Sequence, residues 1–337
     1  AADVIGPAIA GALNLISGLL PADAGRIDGK GFFHEHVDVL VHRVAEMNRP
    51  KRRRRGQQHD SARADGFHRF LIAVESEELP VGRHFDLRDP AAVGDSVRRL
   101  APDVIIHTAA YTNVDGAESA REEAEAVNDR GTAHVAVAAA ARGAKLVYVS
   151  TDYVFDGSQR TPYVETDPVA PLNVYGRTKL AGERHAEGVP DHLIVRTQGL
   201  FGREGKSFVG SIVDAAEAGR AITVVEDVTT GVTYADDLAH AIRVLVEAGA
   251  TGVYHVSSPG AVVWADFARA VLDESGHPEV PVARTTAAAL GRPARRPVYS
   301  VLDGARYAAT AGAPLPPWRD ALRRWVRDRA ARGADGR

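Results

Sequence analysis

The sequence predicts an α/β fold in which a doubly wound parallel sheet is followed by a smaller C-terminal part. Two observations support this prediction. Short β-branched and aliphatic runs alternate with helix-length segments from about residue 84 onward. Polar or small residues follow several of these runs directly. Strands separated by helices connect through right-handed crossovers, which give parallel sheets with both faces covered, and such sheets bind ligands beyond the carboxyl ends of their strands.

The first part of this pattern contains three buried strands and two helices. The predicted strands are Asp103–Thr108, Lys145–Ser150 and His192–Thr197, and the predicted helices are the alanine-rich Glu118–Arg142 and Val174–Glu187. After residue 200 the alternation is looser. There we predict helices Ser207–Ala218, Ala235–Ala248 and Pro317–Arg332, short strands Ile222–Val225 and Gly252–Ser257, and a surface segment at Pro281–Tyr299.

The composition excludes several classes of protein. The 337 residues carry a formal charge of −3, with 45% hydrophobic and 25% charged residues, which excludes wholesale disorder and a general attraction to nucleic acid. The chain has no cysteine, and therefore no disulfide, thiolate zinc site or cysteine nucleophile. No apolar run reaches the ~18 residues that a membrane span needs. We therefore expect a cytoplasmic protein with no nucleic-acid and no membrane partner.

The pair Tyr175 and Lys179 is the first candidate for chemistry. Their i, i+4 spacing puts the phenol and the ammonium on one face of a helix, one turn apart. The ordinary pKa of tyrosine is near 10, and a nearby cation favours the phenolate and lowers that pKa. Tyr175 is therefore a candidate proton donor, and Lys179 is the cation that would lower its pKa. This spacing also occurs by chance in many helices, so the neighbouring motifs decide its meaning.

Two strand ends supply those motifs. Thr151 and Asp152 follow one predicted strand, and a hydroxyl there can hydrogen-bond a substrate oxygen beside Tyr175. The alternative is a turn in which these side chains satisfy backbone groups. The segment Ala109-Ala110-Tyr111-Thr112 follows another strand. Its small residues would let a flat cofactor ring approach the backbone, and ordinary tight packing is the alternative.

The remaining motifs fall in a specific order along the chain. The most specific are Ser150-Thr151-Asp152-Tyr153-Val154-Phe155 and Asn173-Val174-Tyr175-Gly176, the latter running into Thr178-Lys179-Leu180-Ala181-Gly182-Glu183. Further segments are His84-Phe85-Asp86-Leu87, Arg196-Thr197, Arg296-Pro297 and Pro317-Trp318. Together they resemble the dTDP-4-dehydrorhamnose reductase family of the extended short-chain dehydrogenase/reductase superfamily. The resemblance covers residue 84 to the C-terminal end and implies a Rossmann-like fold.

The resemblance implies reduction of the C4 ketone of dTDP-4-dehydro-β-L-rhamnose to dTDP-β-L-rhamnose with NADPH or NADH. Carried over by position, Tyr175 is the proton donor, Lys179 holds the nicotinamide ribose and lowers the tyrosine pKa, and Thr151 hydrogen-bonds the reacting oxygen. The implied cofactor contacts are Asp86, Leu87, Ala110, Tyr111, Thr112 and Val149, and the implied sugar contacts are Asp152 and Gly199. A homodimer is also implied, as is Mg²⁺ near Asp115 and Glu118, where a solvated helix start is the alternative.

The resemblance also divides the chain into three segments. Residues 84–200 are expected to form the Rossmann-like cofactor domain with the catalytic residues, and residues 201–337 mostly a substrate-binding region and a closing helix. Residues 1–83 show scattered glycines, a basic run and no strand–helix alternation, so they form an atypical N-terminal segment. Three hypotheses account for it: translation out of frame up to about residue 84, a divergent half that still folds, or a replaced arm with another role.

The atypical segment lacks the cofactor loop that the family requires. The family opens with a strand and a Gly-x-x-Gly-x-x-Gly turn, whose helix N-terminus meets the cofactor pyrophosphate. Here Gly6 and Gly11 are five residues apart, and Pro7 lies between them. Each charge-assisted phosphate contact is worth ~1.5–3 kcal/mol. The sequence therefore predicts weak NADPH binding, and a non-catalytic regulatory homologue becomes an alternative function.

A second departure from the family lies in the sugar pocket. Gln198-Gly199 follows Arg196-Thr197 at the place where the family usually has a tryptophan that packs on the sugar. Glycine removes a flat wall, which indicates a wider pocket or a different substrate. Reduction of another dTDP-4-keto-deoxyhexose of secondary metabolism is therefore a further alternative.

Two charged motifs have simpler explanations. Arg49-Pro50-Lys51-Arg52-Arg53-Arg54-Arg55 carries six cations but no interleaved aromatic residue, so we interpret it as a solvated or unfolded segment rather than a nucleic-acid arm. His34 and His36 at i, i+2 on a helix would point apart, so we predict no metal site there.

Overall fold

The computed structural model describes residues 39–41, 70–73, 86–203 and 207–335. The motifs at Gly6–Gly11, His34–His36 and Arg49–Arg55 lie outside these residues, so their interpretations stay predictions.

A six-stranded sheet organises the described part of the chain, in the order β1-β2-β3-β4-β5-β10. Its strands are β1 Val39–Val41, β2 Phe70–Ala73, β3 Val104–His107, β4 Lys145–Thr151, β5 His192–Thr197 and β10 Gly252–His255. The pair β1–β2 is antiparallel and the other neighbours are parallel. The predicted parallel α/β fold is confirmed. The strand β2 lies in the segment where the sequence pattern predicted no alternation of strands and helices.

Helices cover both faces of this sheet. On one face Ile105 and Leu146 pack under α1 Pro90–Leu100 and α4 Thr132–Arg142. On the other face lie Val104 and Ile106, which pack under α7 Ala235–Glu247 and α10 Ala305–Ala311. Neighbouring strand residues point to opposite faces, and the apolar residues at successive positions therefore fill both cores.

The predicted single helix Glu118–Arg142 is wrong in detail. The structure has α2 Val114–Ser119, α3 Arg121–Glu125, a π-helix at Ala126–Gly131, and then α4. Ala120 breaks the run with φ −109° and ψ 45°. The π-helix then brings Asn128 inside, where its side chain is fully buried. Alanine-rich composition predicts helix but carries no signal for this change of register, which recurs at functional sites.

The next helix carries the candidate catalytic pair. It is α5, Val174–Glu187, with the predicted bounds, and Asn173 caps its N-terminus by accepting from the Gly176 N–H. The predicted bounds of β5 are also confirmed.

The C-terminal part adds three two-stranded sheets and several helices. The strands are β6 Leu200–Phe201, β7 Ile222–Val225, β8 Thr229–Thr230, β9 Thr233–Tyr234, β11 Val262–Val263 and β12 Val282–Thr285. The helices are α6 Phe208–Glu217, α8 Trp264–Glu274, α9 Ala287–Leu290 and α11 Trp318–Asp335. The predicted surface segment Pro281–Tyr299 thus contains a strand and a short helix. Trp318, Leu322 and Trp325 are buried in this part's own core, as their helical spacing predicts. None of the described helices is long and apolar enough to cross a membrane.

Candidate active site

A cleft opens at the carboxyl ends of β4 and β5, where the fold predicts ligand binding. It brings together most of the side chains that the sequence singled out. The lining residues are Thr112, Val149, Ser150, Thr151, Asp152, Tyr153, Tyr175, Lys179, Thr197, Gln198, Gly199, Leu200, Val228, Thr230, Trp264, Pro297 and Ser300.

A close approach between α5 and the end of β4 places Tyr175 in this cleft. A Cβ atom on Gly176 would lie 2.2 Å from the carbonyl oxygen of Tyr153, so only glycine fits between the helix and the segment after the strand. At the same helix start, the carboxylate of Glu118 accepts the Val174 N–H at 2.8 Å. The sequence Asn-Val-Tyr-Gly therefore fixes where the phenol enters the cleft.

The phenol of Tyr175 is buried next to the hydroxyl of Thr151. Burial raises the pKa of Tyr175 well above its usual value, the charge of Asp152 adds to this increase, and a hydrogen bond with Thr151 opposes it. The sequence predicted a pKa lowered by Lys179, and this expectation is wrong. Desolvation of the phenolate is the largest cause of the increase, and the charge of Asp152 acts in the same direction. Tyr175 therefore stays protonated at neutral pH, which is the state that a proton donor needs.

Lys179 lies one turn further along α5, on the same face. Its ammonium donates to the carbonyl of Val149 at 2.8 Å and lies 4.1 Å from the ring centroid of Tyr148. Burial lowers the pKa of Lys179 to about 7, and the charge of Glu183 opposes this decrease. The ammonium is thus held between the strand end and the helix, inside the cleft.

Glu183 continues the same helical face and ties α5 to the sheet. Its carboxylate accepts from Arg196 Nε at 2.9 Å and Nη2 at 2.7 Å, and also from the hydroxyl of Ser150. All three side chains are buried. A buried carboxylate needs such partners, because an uncompensated charge in the interior is costly.

Asp152 is the acidic group of the cleft. Its Oδ1 accepts from the Thr151 hydroxyl at 3.1 Å. Burial raises the pKa of Asp152 to about 6, although hydrogen bonds with Ser300 and Thr151 lower it. The group therefore changes charge near neutral pH, within reach of any sugar that lies against Thr151.

The loop after β3 is held by a residue that sequence reasoning missed. Asn128, in the π-helix, accepts the Tyr111 N–H at 2.7 Å and donates to the Tyr111 carbonyl at 3.1 Å. It also donates to the hydroxyl of Thr178 in α5 at 2.9 Å. Asn128 therefore fixes the loop that contains Thr112 relative to the helix that carries Tyr175.

The far wall of the cleft comes from the segment after α9, which carries Pro297 and Ser300. The guanidinium of Arg296 makes two 2.8 Å bonds to the carboxylate of Asp115, which also accepts the Ala294 N–H at 3.1 Å. Burial alone would raise the pKa of Asp115, but these hydrogen bonds and guanidinium charges hold it below its usual value.

This ion pair bears on the Mg²⁺ that the resemblance implied. The carboxylate of Asp115 is engaged by Arg296, and that of Glu118 by the start of α5. Within the described ranges, no group of three histidine, aspartate or glutamate side chains is arranged to hold a metal ion. Mg²⁺ binding at Asp115 is therefore not supported.

The predicted site residues do not all meet. Thr112, Val149, Thr151, Asp152, Tyr175, Lys179 and Gly199 share the cleft. Asp86 and Leu87 lie apart from it: the Asp86 carboxylate pairs with Arg88, and the Leu87 side chain is fully buried in the core. Any contact of Leu87 with an adenine would have to come from its backbone. Ala110 is buried and Tyr111 half-buried beside the cleft.

Sequence reasoning missed Trp264, Pro297 and Ser300 as lining residues. Arg296-Pro297 and Ser300 both belong to the segments that carry the resemblance, so the sequence did contain a signal for this wall. Trp264 begins α8, a helix that the sequence pattern did not predict.

The described residues fit the nicotinamide half of the cofactor that the resemblance implies. The ammonium of Lys179 donates to the Val149 carbonyl, and Lys179 lines the cleft. Ala109 and Ala110 provide a strand end without bulky side chains, and Thr112 lines the cleft beside them. The segment expected to meet the pyrophosphate lies outside the described residues.

Comparison with known proteins agrees with this geometry. Residues 62–330 match the family model described as the RmlD substrate binding domain. The match thus begins inside the segment 1–83. The chain is 40% identical over 262 residues to the dTDP-4-dehydrorhamnose reductase of Sinorhizobium fredii, covering 74% of this chain and 88% of that protein. It is also 40% identical over 259 residues to a probable dTDP-4,6-dihydroxy-2-methyloxan-3-one 4-ketoreductase of Streptomyces antibioticus, covering 76% and 88%.

A solved structure is similar over the same region. It is a dTDP-4-dehydrorhamnose reductase from Bacillus anthracis in complex with NADP, with a TM-score of 0.70 and 36% identity over 72% of this chain and 87% of that one. The similarities extend over most of the chain and confirm the family inferred from the motifs. This chain belongs to the RmlD substrate binding domain family, that of the dTDP-4-dehydrorhamnose reductases, which are NAD(P)H-dependent oxidoreductases.

Proposed function

We propose that this chain reduces the C4 ketone of dTDP-4-dehydro-β-L-rhamnose to dTDP-β-L-rhamnose with NADPH, and that Tyr175 donates the proton. The observation that carries the proposal is the convergence of Tyr175, Thr151 and Lys179 on one cleft at the carboxyl ends of β4 and β5. The names of the relatives agree with this substrate.

Each of these residues has a definite task in the reaction. The nicotinamide, when bound, supplies the hydride. The phenol of Tyr175 protonates the oxygen at C4, where negative charge develops, and the hydroxyl of Thr151 donates a second hydrogen bond to that oxygen. Such donors stabilise the transition state more than the ketone. The ammonium of Lys179 provides the positive charge behind the phenol.

Asp152 competes with the substrate for Thr151. In the structure the Thr151 hydroxyl donates to the Asp152 carboxylate, so a ketone oxygen must take over this donor when it binds. Because the pKa of Asp152 is about 6, the exchange becomes easier when Asp152 is protonated and accepts more weakly. We therefore place the Asp152 side chain against the sugar, next to the reacting carbon.

The proposal is tested by supplying dTDP-4-dehydro-6-deoxyglucose, a 3,5-epimerase and NADPH, and following the loss of NADPH absorbance. Consumption that requires the epimerase and disappears in Tyr175→Phe supports it. No consumption by the folded wild-type protein at saturating NADPH contradicts it and favours the non-catalytic regulatory homologue.

A second candidate is a 4-ketoreductase for another dTDP-deoxyhexose. Gly199 favours it. Its φ of +51° and a Cβ only 2.5 Å from the Gly231 carbonyl exclude the tryptophan that the family usually has at this position, so the sugar meets a different wall. The relative from Streptomyces antibioticus, which is named for such a substrate, also favours it. Relative kcat/KM on dTDP-4-dehydrorhamnose and on its 2-deoxy counterpart separates the two candidates.

A further inference from the structure

Gln198 is a buried amide in the wall of the cleft. It follows β5 directly and is 2% exposed. A Cβ atom on Gly231 would lie 2.2 Å from Gln198 Nε2 and 2.9 Å from its Cδ, so the Gly231 backbone lies flat against the amide. The side chain is thus fixed in place rather than free to turn toward water.

A directed chain of hydrogen bonds sets the orientation of this amide. The Thr197 hydroxyl donates to Thr233, which donates to Ser257, and the Ser257 hydroxyl points to the Ser258 carbonyl. The shortest contact of the amide with this chain is the bond that Gln198 Nε2 donates to the Ser257 hydroxyl at 2.9 Å. The other end of the amide is therefore the carbonyl oxygen Oε1.

Gln198 Oε1 has no hydrogen-bond partner. Among the described residues, four buried side-chain nitrogen or oxygen atoms lack a hydrogen-bond partner. Of these four, only Gln198 Oε1 belongs to a residue that lines the cleft. A buried acceptor without a donor destabilises the protein, and binding sites that leave such a group unpaired discriminate against ligands that cannot satisfy it. Oε1 is therefore an acceptor that a donor entering the cleft could satisfy.

The chemistry of a dTDP-sugar limits the donor to three kinds of group. The diphosphate has acceptors only, so the donor is a hydroxyl of the reacting sugar, the 3′-hydroxyl of the deoxyribose or the thymine N–H. Thr151 and Thr197 are register partners on neighbouring strands, which lie about 4.8 Å apart, and Gln198 follows Thr197 directly. Gln198 thus lies at the reacting end of the cleft, which favours the sugar.

We propose that Gln198 is a specificity-determining residue whose Oε1 accepts a hydrogen bond from the sugar hydroxyl on C3, the carbon next to the reacting ketone. The inference rests on the proposed function, because it places C4 between Tyr175 and Thr151. It also explains how a pocket without an aromatic residue at position 199 orients a sugar: a polar contact replaces the flat wall.

Calorimetric binding of dTDP-L-rhamnose and its 3-deoxy analogue tests this without turnover. The wild type is expected to bind the 3-deoxy sugar roughly tenfold to hundredfold more weakly. Gln198→Met keeps the length of the side chain but has no acceptor, so it should bind the two sugars equally. Ser258→Ala is the matched control: it removes a neighbouring buried hydroxyl but keeps the Ser257 hydroxyl that orients the amide, so the discrimination should persist.

The outcomes separate this inference from the proposed function. Equal binding of both sugars by the wild type overturns the role of Gln198 without any variant, which keeps the test valid if Gln198→Met does not fold. Persistent discrimination by folded Gln198→Met overturns it as well. Both results leave the reductase proposal standing. Failure of the wild type to bind either sugar overturns the proposed function, and this inference with it.

Discussion

The ammonium of Lys179 donates a 2.8 Å hydrogen bond to the carbonyl of Val149, the residue two positions before Thr151 on β4. This bond joins the helix that carries the phenol to the strand that carries the threonine. Glu183, one turn further, makes a second connection through Arg196. The relative positions of Tyr175 and Thr151 are thus set by buried contacts and not by flexible loops.

The first prediction concerns the pH dependence that Lys179 gives to the reaction. Its pKa is lowered to about 7, so the ammonium is lost, and kcat should fall, as pH rises through 7. Glu183 raises the pKa of Lys179, so Glu183→Gln should move this limb of the kcat profile to lower pH.

The control for that variant is Arg196→Met. Each substitution leaves a buried charge unpaired and destabilises the fold by ~3–5 kcal/mol, but Arg196→Met keeps the carboxylate near Lys179. Its kcat profile should not move to lower pH. A limb that stays in place in folded Glu183→Gln contradicts the prediction.

Tyr175→Phe should lower kcat by roughly 10²–10⁴-fold, the usual contribution of a general acid. The phenol is buried and its ring packs edge-on to Tyr153, so the phenylalanine keeps the packing and the thermal midpoint should change little. Stopped-time product analysis measures the rate. Near wild-type turnover would exclude Tyr175 as the proton donor.

Asp152→Asn should change the stability in a pH-dependent way. The pKa of Asp152 is raised from 3.8 to about 6 in the folded protein, so the folded state loses stability relative to the unfolded state as pH rises through this window. The asparagine removes this loss. The free energy of unfolding of the variant, relative to wild type, should therefore increase by about 2 kcal/mol from pH 4 to pH 7 in urea titrations. A difference that is constant with pH contradicts the raised pKa.

Asp115→Asn should weaken sugar binding. The variant loses the paired bonds with Arg296 that hold the segment carrying Pro297 and Ser300. We expect KM for the sugar to rise roughly tenfold, with a smaller change in kcat. Asp103→Asn is the control, because its ion pair with Arg142 is exposed and 3.7 Å long. Equal KM values for both variants and the wild type would show that the Arg296 pair does not hold the wall.

NADPH should bind weakly, because the N-terminal residues contain no Gly-x-x-Gly-x-x-Gly turn after a strand. Fluorescence titration should give a dissociation constant in the millimolar range or above, and low-micromolar binding would contradict this. The coding DNA for residues 1–90 tests the frame hypothesis separately: the missing turn should appear in another reading frame.

Local sequence patterns predicted the strands and helices whose ends are marked by apolar runs, caps and glycines. The bounds of β5 and α5 were correct because apolar runs, the Asn173 cap and the following Gly188 mark them in the sequence. The break at Ala120 and the π-helix were not predictable from composition. The π-helix coincides with the bonds that Asn128 makes to the backbone of Tyr111, and composition carries no signal for such a tertiary contact.

The same distinction applies to the cleft. Thr151, Tyr175 and Lys179 belong to motifs with short spacing, so the sequence could bring them together. Trp264 and Pro297 lie far along the chain, and their position in the wall follows from the packing of the C-terminal part. The raised pKa of Tyr175 was missed for a related reason, since burial is a property of the folded molecule.

The two sides of the cleft belong to two separately packed hydrophobic cores. The phenol and the ammonium belong to a helix packed on the main sheet, whereas Trp264 belongs to the core of the C-terminal part. A lineage can therefore exchange one deoxysugar for another through substitutions in the C-terminal wall while its proton-transfer apparatus stays intact. Directed evolution of new sugar preferences should begin at positions 198, 228 and 264 and leave α5 unchanged.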